Sequence, residues 1–275
     1  MDKISSGSSC NIKGLRLSIF SSLFMFCLTW TPFATATHWH ANEYITDSFV
    51  AVTLNEKAKG SVAGIKKWKK PIYYEIKHHI NDVELHERLV ALHFSQIRQI
   101  TGLTIEPADR QHSANLTIVL TSEKRYQKDI AHYFQLDENA KTTKAMAKKI
   151  GSASLYTRGD NSIEHAAVVI PTDRARAEAR LLSSLSEMLT QVLGFPNRST
   201  SVYPSVLNDR SRDHFLSGLD YLMLKILYDE RVQSGMSSRK TRAAVNKIIA
   251  ESSFQDQIQS AELVVKQQGL YPLLN

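Results

Sequence analysis

Glu187-Met188-Leu189-Thr190-Gln191-Val192-Leu193-Gly194-Phe195-Pro196-Asn197 closes the longest helical pattern in this chain of 275 residues. Leu181, Leu182, Leu185, Met188, Leu189, Val192 and Leu193 recur at helical spacing, which predicts a helix from about Arg174 to Leu193. Gly194 follows the last apolar position as a C-cap, and Pro196 blocks continuation. Glu187 and Gln191 are four residues apart, so a helix places both on one face. Asn197 lies just beyond the glycine turn.

Upstream, Glu43 to Leu54 can form a short amphipathic helix. Ile65 to Lys70 is a basic run before Pro71, read here as a solvated strand entry, with contact to an anionic lipid or glycan as the alternative. Ile72 to Ile76 alternates like a strand. Asn81 or Asp82 caps a helix from Val83 to Ile100 that Gly102 ends. Ala114 to Thr121 reads as a strand. Glu123 to Lys149 is polar and lysine-rich, helical or loop. Ala166 to Ile170 reads as a second buried strand, stopped by Pro171. Downstream of the quoted stretch, a loop runs to about Asp213 and a helix spans roughly Gly218 to Tyr228. Helices follow near Lys240 to Glu251 and Gln255 to Gln267. Helices and strands do not alternate regularly, so the expected class is α+β, a small mixed sheet packed on long helices.

The helix and glycine turn resemble the zinc-binding helix of metzincin proteases, HExxHxxGxxH. There two histidines at i and i+4 grip one ion, and the glutamate beside the first is the general base. The glycine returns the chain so that a third ligand reaches the metal. In that register Glu187 replaces the first histidine, Met188 the glutamate, Gln191 the second histidine and Asn197 the third ligand. Tyr203-Pro204-Ser205-Val206-Leu207-Asn208 resembles the turn that carries a methionine beneath the metal, with Leu207 at the methionine position. Leu219-Asp220 to Leu227-Tyr228 resembles the closing helix. The resemblance implies a zincin-like fold without the zinc motif.

The chain also resembles a bacterial family, domain of unknown function 2927. That likeness rests on the Glu187 to Gly194 helix, Asn208-Asp209 and Leu227-Tyr228-Asp229, and upstream on Tyr44-Ile45-Thr46, Trp68 to Pro71 and Ala114-Asn115. Asn197-Arg198 departs from the asparagine-aspartate pair usual in the family, which puts the role of position 198 in doubt.

Glu187, Gln191 and Asn197 offer oxygen donors with one charge between them, a poor set for zinc. Calcium asks for more carboxylates than this, even if Asp209 joined. Met188 cannot take a proton from water, so protease chemistry by the ancestral route is not expected. The reading closest to ordinary structure makes Glu187, Gln191, Asn197 and Asn208 a mutually hydrogen-bonded cluster. The functional reading makes Glu187, Gln191, Asn197, Tyr203, Asn208 and Asp209 the wall of a ligand groove. No metal or other cofactor is expected.

Residues 1–36 read as a cleavable signal peptide: Lys3, Lys13 and Arg16, then apolar Leu17 to Trp30, then Ala34-Thr35-Ala36 as cleavage site. The apolar run is short of the roughly 20 residues that span a bilayer, and no later segment is apolar enough to be transmembrane. Cys10 and Cys27 lie in the leader, so residues 37–275 have no disulfide, thiolate ligand or cysteine nucleophile. The formal charge is +7. Without the leader's three basic residues and one acidic residue it is +5, a mild balance that argues no nucleic-acid partner. Other signals are weak. His38 and His40 near the expected new N-terminus could bind copper or nickel. His86 and His93 are read as a solvated helix face, and Arg158-Gly159-Asp160 as a loop.

The sequence therefore predicts an exported protein, periplasmic or secreted, whose residues 37–275 form one zincin-like domain with a helical C-terminal part. It would act as a non-catalytic binding or scaffold module for an envelope protein, peptide or glycan. The alternative is a hydrolase with a redesigned site centred on Glu187. A calcium-stabilised structural protein is a third reading.

Overall fold

The computed structural model describes residues 39–54, 64–210 and 214–274; the leader with both cysteines and the expected cleavage site, and His38, lie outside the described residues. In chain order the elements are α1 (Asn42–Thr53), β1 (Lys67–Trp68), β2 (Ile72–His78), α2 (Val83–Thr101), β3 (Ile105–Pro107), β4 (Leu116–Thr121), α3 (Glu123–Tyr133), α4 (Lys141–Ala147), β5 (Ser152–Thr157), β6 (Ser162–Pro171), α5 (Thr172–Ala177), α6 (Leu181–Gln191), α7 (Gly218–Tyr228), α8 (Ser238–Ile249) and α9 (Ser252–Lys266).

Alternation along the central strands creates two apolar layers. Leu116, Ile118 and Leu120 of β4 and Ala166, Val168 and Ile170 of β6 face the main core, with residues of α1, α2, α6 and α7. The intervening Val119, Ala167 and Val169 face the other way, onto Tyr126 and Ile130 of α3 and Phe134 just after it. A period of two puts each set on its own face of the sheet. Pairing runs β3-β2-β4-β6, all parallel. The far edge of β6 carries β1, parallel, and β5, antiparallel. The sheet is therefore small and mixed, and the expected combination of that sheet with packed helices holds. Helix α7 is buried along nearly its whole length, with Leu219, Leu222, Met223, Leu224, Ile226 and Leu227 all fully covered. A helix that is apolar all round belongs inside the protein, and this one packs against α1, α2 and α9. Among the described residues no helix is long and apolar enough to cross a membrane.

Three expectations change. The helix expected from Arg174 to Leu193 is two helices, α5 and α6, broken at Ala179, which has φ +53°. The first half, α5, is anchored by its own arginines. Arg174 donates to the carbonyls of Ala147 and Lys149, while Arg176 holds Asp82 and reaches His86. These distant partners override a periodicity that spans the break.

His86 and His93 are buried, not solvated. His86 Nε2 accepts from Arg176 Nη2 at 3.1 Å, and its ring stacks on His78. His93 Nε2 lies 3.4 Å from Thr190 Oγ1. Burial pushes both imidazoles down to about 4. A helix in a single-layer reading has one outer face, whereas α2 packs on α6 and α7 and also meets the sheet through Phe94 on Tyr74 and Arg98 on Ile105 O.

The basic run is also only partly solvated. Lys69 and Lys70 are exposed, but Lys67 and Trp68 are buried. Lys67 Nζ donates to the carbonyls of Asp229 at 3.2 Å and Val232 at 2.7 Å, capping the C-terminus of α7.

Candidate functional site

The site is built on the end of α6 and the chain that leaves it. Trp68 Nε1 donates to Val192 O at 2.8 Å, and Tyr228 Oη to Leu193 O at 2.6 Å. These bonds satisfy carbonyls that a helix end leaves open. Gly194 then turns at φ +124°, where a Cβ would stand 2.2 Å from Lys66 O. Only glycine combines that dihedral with that backbone approach. Asn197 N–H donates to Val52 O at 3.1 Å, so the returning chain is stitched to α1.

The loop beyond is fixed by polar side chains. Tyr44 Oη accepts Tyr203 N–H at 2.8 Å and lies 2.9 and 2.8 Å from the carbonyl oxygens of Ser201 and Tyr203. Asn208 Nδ2 donates to Val202 O at 2.7 Å. Buried Asp220 accepts from Ser205 Oγ at 2.5 Å, Val206 N at 3.1 Å and Ser217 N at 2.9 Å, closing the capping box of α7. The Tyr203–Pro204 peptide is cis.

At the centre stands Glu187, only 5% exposed. Its Oε1 accepts from Arg198 Nη1 at 2.5 Å and from Gln191 Nε2 at 3.2 Å. The other side of the guanidinium meets Asp209, Nε to Oδ1 at 2.8 Å. Burial pushes the Glu187 carboxyl upward, and the adjacent Arg198 charge pulls it back. Carboxylate, guanidinium and carboxylate thus form one chain from interior to surface.

A cleft of about 680 Å³ opens in front of it. Its walls are the α6 end with Met188 and Gln191, the return Pro196 to Ser199 with Asp209, the flank of α1, and Lys149 with Gly151 to Ala153 leading into β5. Among the expected groove residues, Gln191, Asn197 and Asp209 line this cleft. Glu187 lies behind it. Tyr203 is 57% exposed and serves the loop through its backbone, and Asn208 braces the same loop. Met188 is buried against Gly151, and Leu207 is in the core. Among the described residues, no three His, Cys, Asp or Glu side chains come together in a way that could hold a metal ion.

Arg198 is the residue that sequence reasoning set aside, because it departs from the usual pair. A positive charge eleven residues from a glutamate expected to be buried was the available signal. The cleft wall at β5 had none, since Ser152 to Thr157 (SASLYT) lacks a strong strand pattern.

A family model described as a protein of unknown function (DUF2927) matches residues 42–247. The chain belongs to that family. The match takes in α1, the whole sheet, α6, the return loop and α7, and ends within α8. Comparison with curated proteins and with solved structures finds no match. The comparisons lend no support to a relationship with metzincins.

Proposed function

We infer that this DUF2927 protein is a non-catalytic binding module of the cell envelope, and that its cleft takes an extended peptide. The observation that carries the reading is the commitment of Glu187 to Arg198. A carboxylate whose Oε1 accepts from a guanidinium at 2.5 Å and an amide at 3.2 Å already has a cation as its partner, which disfavours a metal ion beside it. Met188, beside it, has no proton to exchange.

The peptide follows from the cleft wall. Among the described residues β5 pairs only with β6, and its first residues, Ser152 and Ala153, line the cleft; an edge strand is where an extended peptide can add. The positive-φ glycine, the returning loop and α7 support a zincin-type frame whose chemistry has been replaced, a pseudo-metalloprotease. The leader motif of residues 1–36 supports export to the periplasm or medium.

The purified protein should not hydrolyse a mixed fluorogenic peptide library, with or without EDTA. EDTA-sensitive hydrolysis would overturn the reading. Protein recovered from the envelope fraction should begin at Thr37, and retention of full-length chain in the cytoplasm would remove the export step. A hydrolase centred on Glu187 draws support from its raised carboxyl. That reading requires Glu187→Gln to abolish a measurable turnover.

A further inference from the structure

We propose that the occupant of the cleft is an acidic peptide, oriented by a stripe of lysines on α4 that ends at the cleft mouth; this rests on the peptide reading above. Lys141, Lys144 and Lys148 stand at i, i+3 and i+7. At about 100° per residue they fall within roughly 60° of one another around the helix. Lys149 comes next and lines the cleft itself. All four are exposed, and none enters an ion pair among the described residues. Some basic side chains elsewhere are paired, Lys69 with Asp160, Lys77 with Glu75 and Arg242 with Asp47; what sets the α4 lysines apart is that they lie in one stripe leading to the cleft.

The stripe is held in place relative to the cleft. Arg174 donates to the carbonyls of Ala147 and Lys149 at the C-terminal end of α4. Buried Thr143 Oγ1 donates to Asp137 O at 2.7 Å at the other end. The nearby acids do not cancel the charge. Asp137 and Glu138 precede the N-terminus of α4, the end away from the cleft. Asp209 and Glu187 are both engaged by Arg198.

Inside the cleft the polar groups favour acceptors. Asn197 Nδ2 is enclosed and has no hydrogen-bond partner among the described residues, a donor left over on a residue that lines the cavity. Lys149 adds a cation. An extended peptide supplies carbonyl oxygens to such donors and to the β5 edge. Acidic side chains on it would meet the lysine stripe outside. An anionic polysaccharide would meet the lysines but could not pair with the strand edge, which favours the peptide.

The test is fluorescence anisotropy of the purified protein with a labelled decapeptide of alternating glutamate and valine, and with its glutamine counterpart. The acidic peptide should bind about tenfold or more tightly at low salt, and the gap should narrow as salt rises. The exposed substitutions K141Q/K144Q/K148Q/K149Q, checked for folding by circular dichroism, should remove the gap by weakening the acidic peptide to the level of the glutamine peptide. Equal affinity for the two peptides, or an advantage that survives the four substitutions, would overturn the acidic preference and leave the peptide cleft standing. Failure of both peptides to bind, whether or not polygalacturonate binds, would overturn both readings.

Discussion

Replacing Arg198 with methionine keeps a long side chain of similar reach and removes the charge facing Glu187. In the native protein the two groups approach to 2.5 Å, with Glu187 7% and Arg198 24% exposed at the side chain. Near a protein surface, unit charges about 4 Å apart attract by roughly 4 kcal/mol. Removing one partner of a fully buried pair costs about 3–5 kcal/mol, because the remaining charge stays desolvated. Arg198 is one-quarter exposed, so water can partly replace it, and Gln191 still donates to the carboxylate. The expected loss is therefore at the lower end, about 2–3 kcal/mol in urea unfolding at neutral pH. Glu187→Gln together with Arg198→Met removes both charges and should recover most of that loss. The single mutant should also recover as the solution is acidified. With the guanidinium gone, burial raises the Glu187 carboxyl further above its unfolded value. The folded state then binds more protons in that interval, and its stability grows as pH falls. A single mutant within about 0.5 kcal/mol of the wild type, or a double mutant no better than the single, would refute this account.

Gly194→Ala should cost more than about 2 kcal/mol in the same assay, since its Cβ would meet a backbone carbonyl rather than a movable side chain; an unchanged urea midpoint would refute the turn argument. Lys67 is lowered from 10.5 to about 8 by burial. Between those values the unfolded chain holds the proton and the folded one releases it, so stability should rise with pH. Lys67→Met should flatten that rise in pH-dependent thermal melts, and an equally steep rise in the mutant would refute the assignment. His93 is lowered by burial to about 4, so below about 6.5 the unfolded chain takes up a proton first and stability should fall with acid. His93→Gln should weaken that acid dependence between pH 6.5 and 4, and unchanged acid unfolding would count against a neutral buried imidazole.

Much of the architecture is written locally. Leu116 to Thr121 and Ala166 to Ile170 alternate or cluster strongly enough to declare strands. Gly102 and Gly194 end helices by a conformation other residues avoid, and the apolar run from Leu219 to Leu227 declares a helix. These signals act over a few residues and survive without knowledge of the fold. β5 was not legible, because an edge strand half-open to a cleft carries no continuous apolar pattern. The break at Ala179 was hidden for a different reason, since Arg174 and Arg176 are claimed by residues far away in sequence.

For the candidate site, the sequence by itself determined the chemistry that is missing: no imidazole at positions 187, 191 or 197, and a methionine where a base would stand. It also determined that Glu187 and Gln191 share a face, because helical spacing requires it. Only the tertiary structure decided what Glu187 is for. The turn at Gly194 and the bond from Asn197 to α1 carry Arg198 back over the end of α6. A carboxylate that is costly to bury alone meets there a guanidinium that makes its burial tolerable.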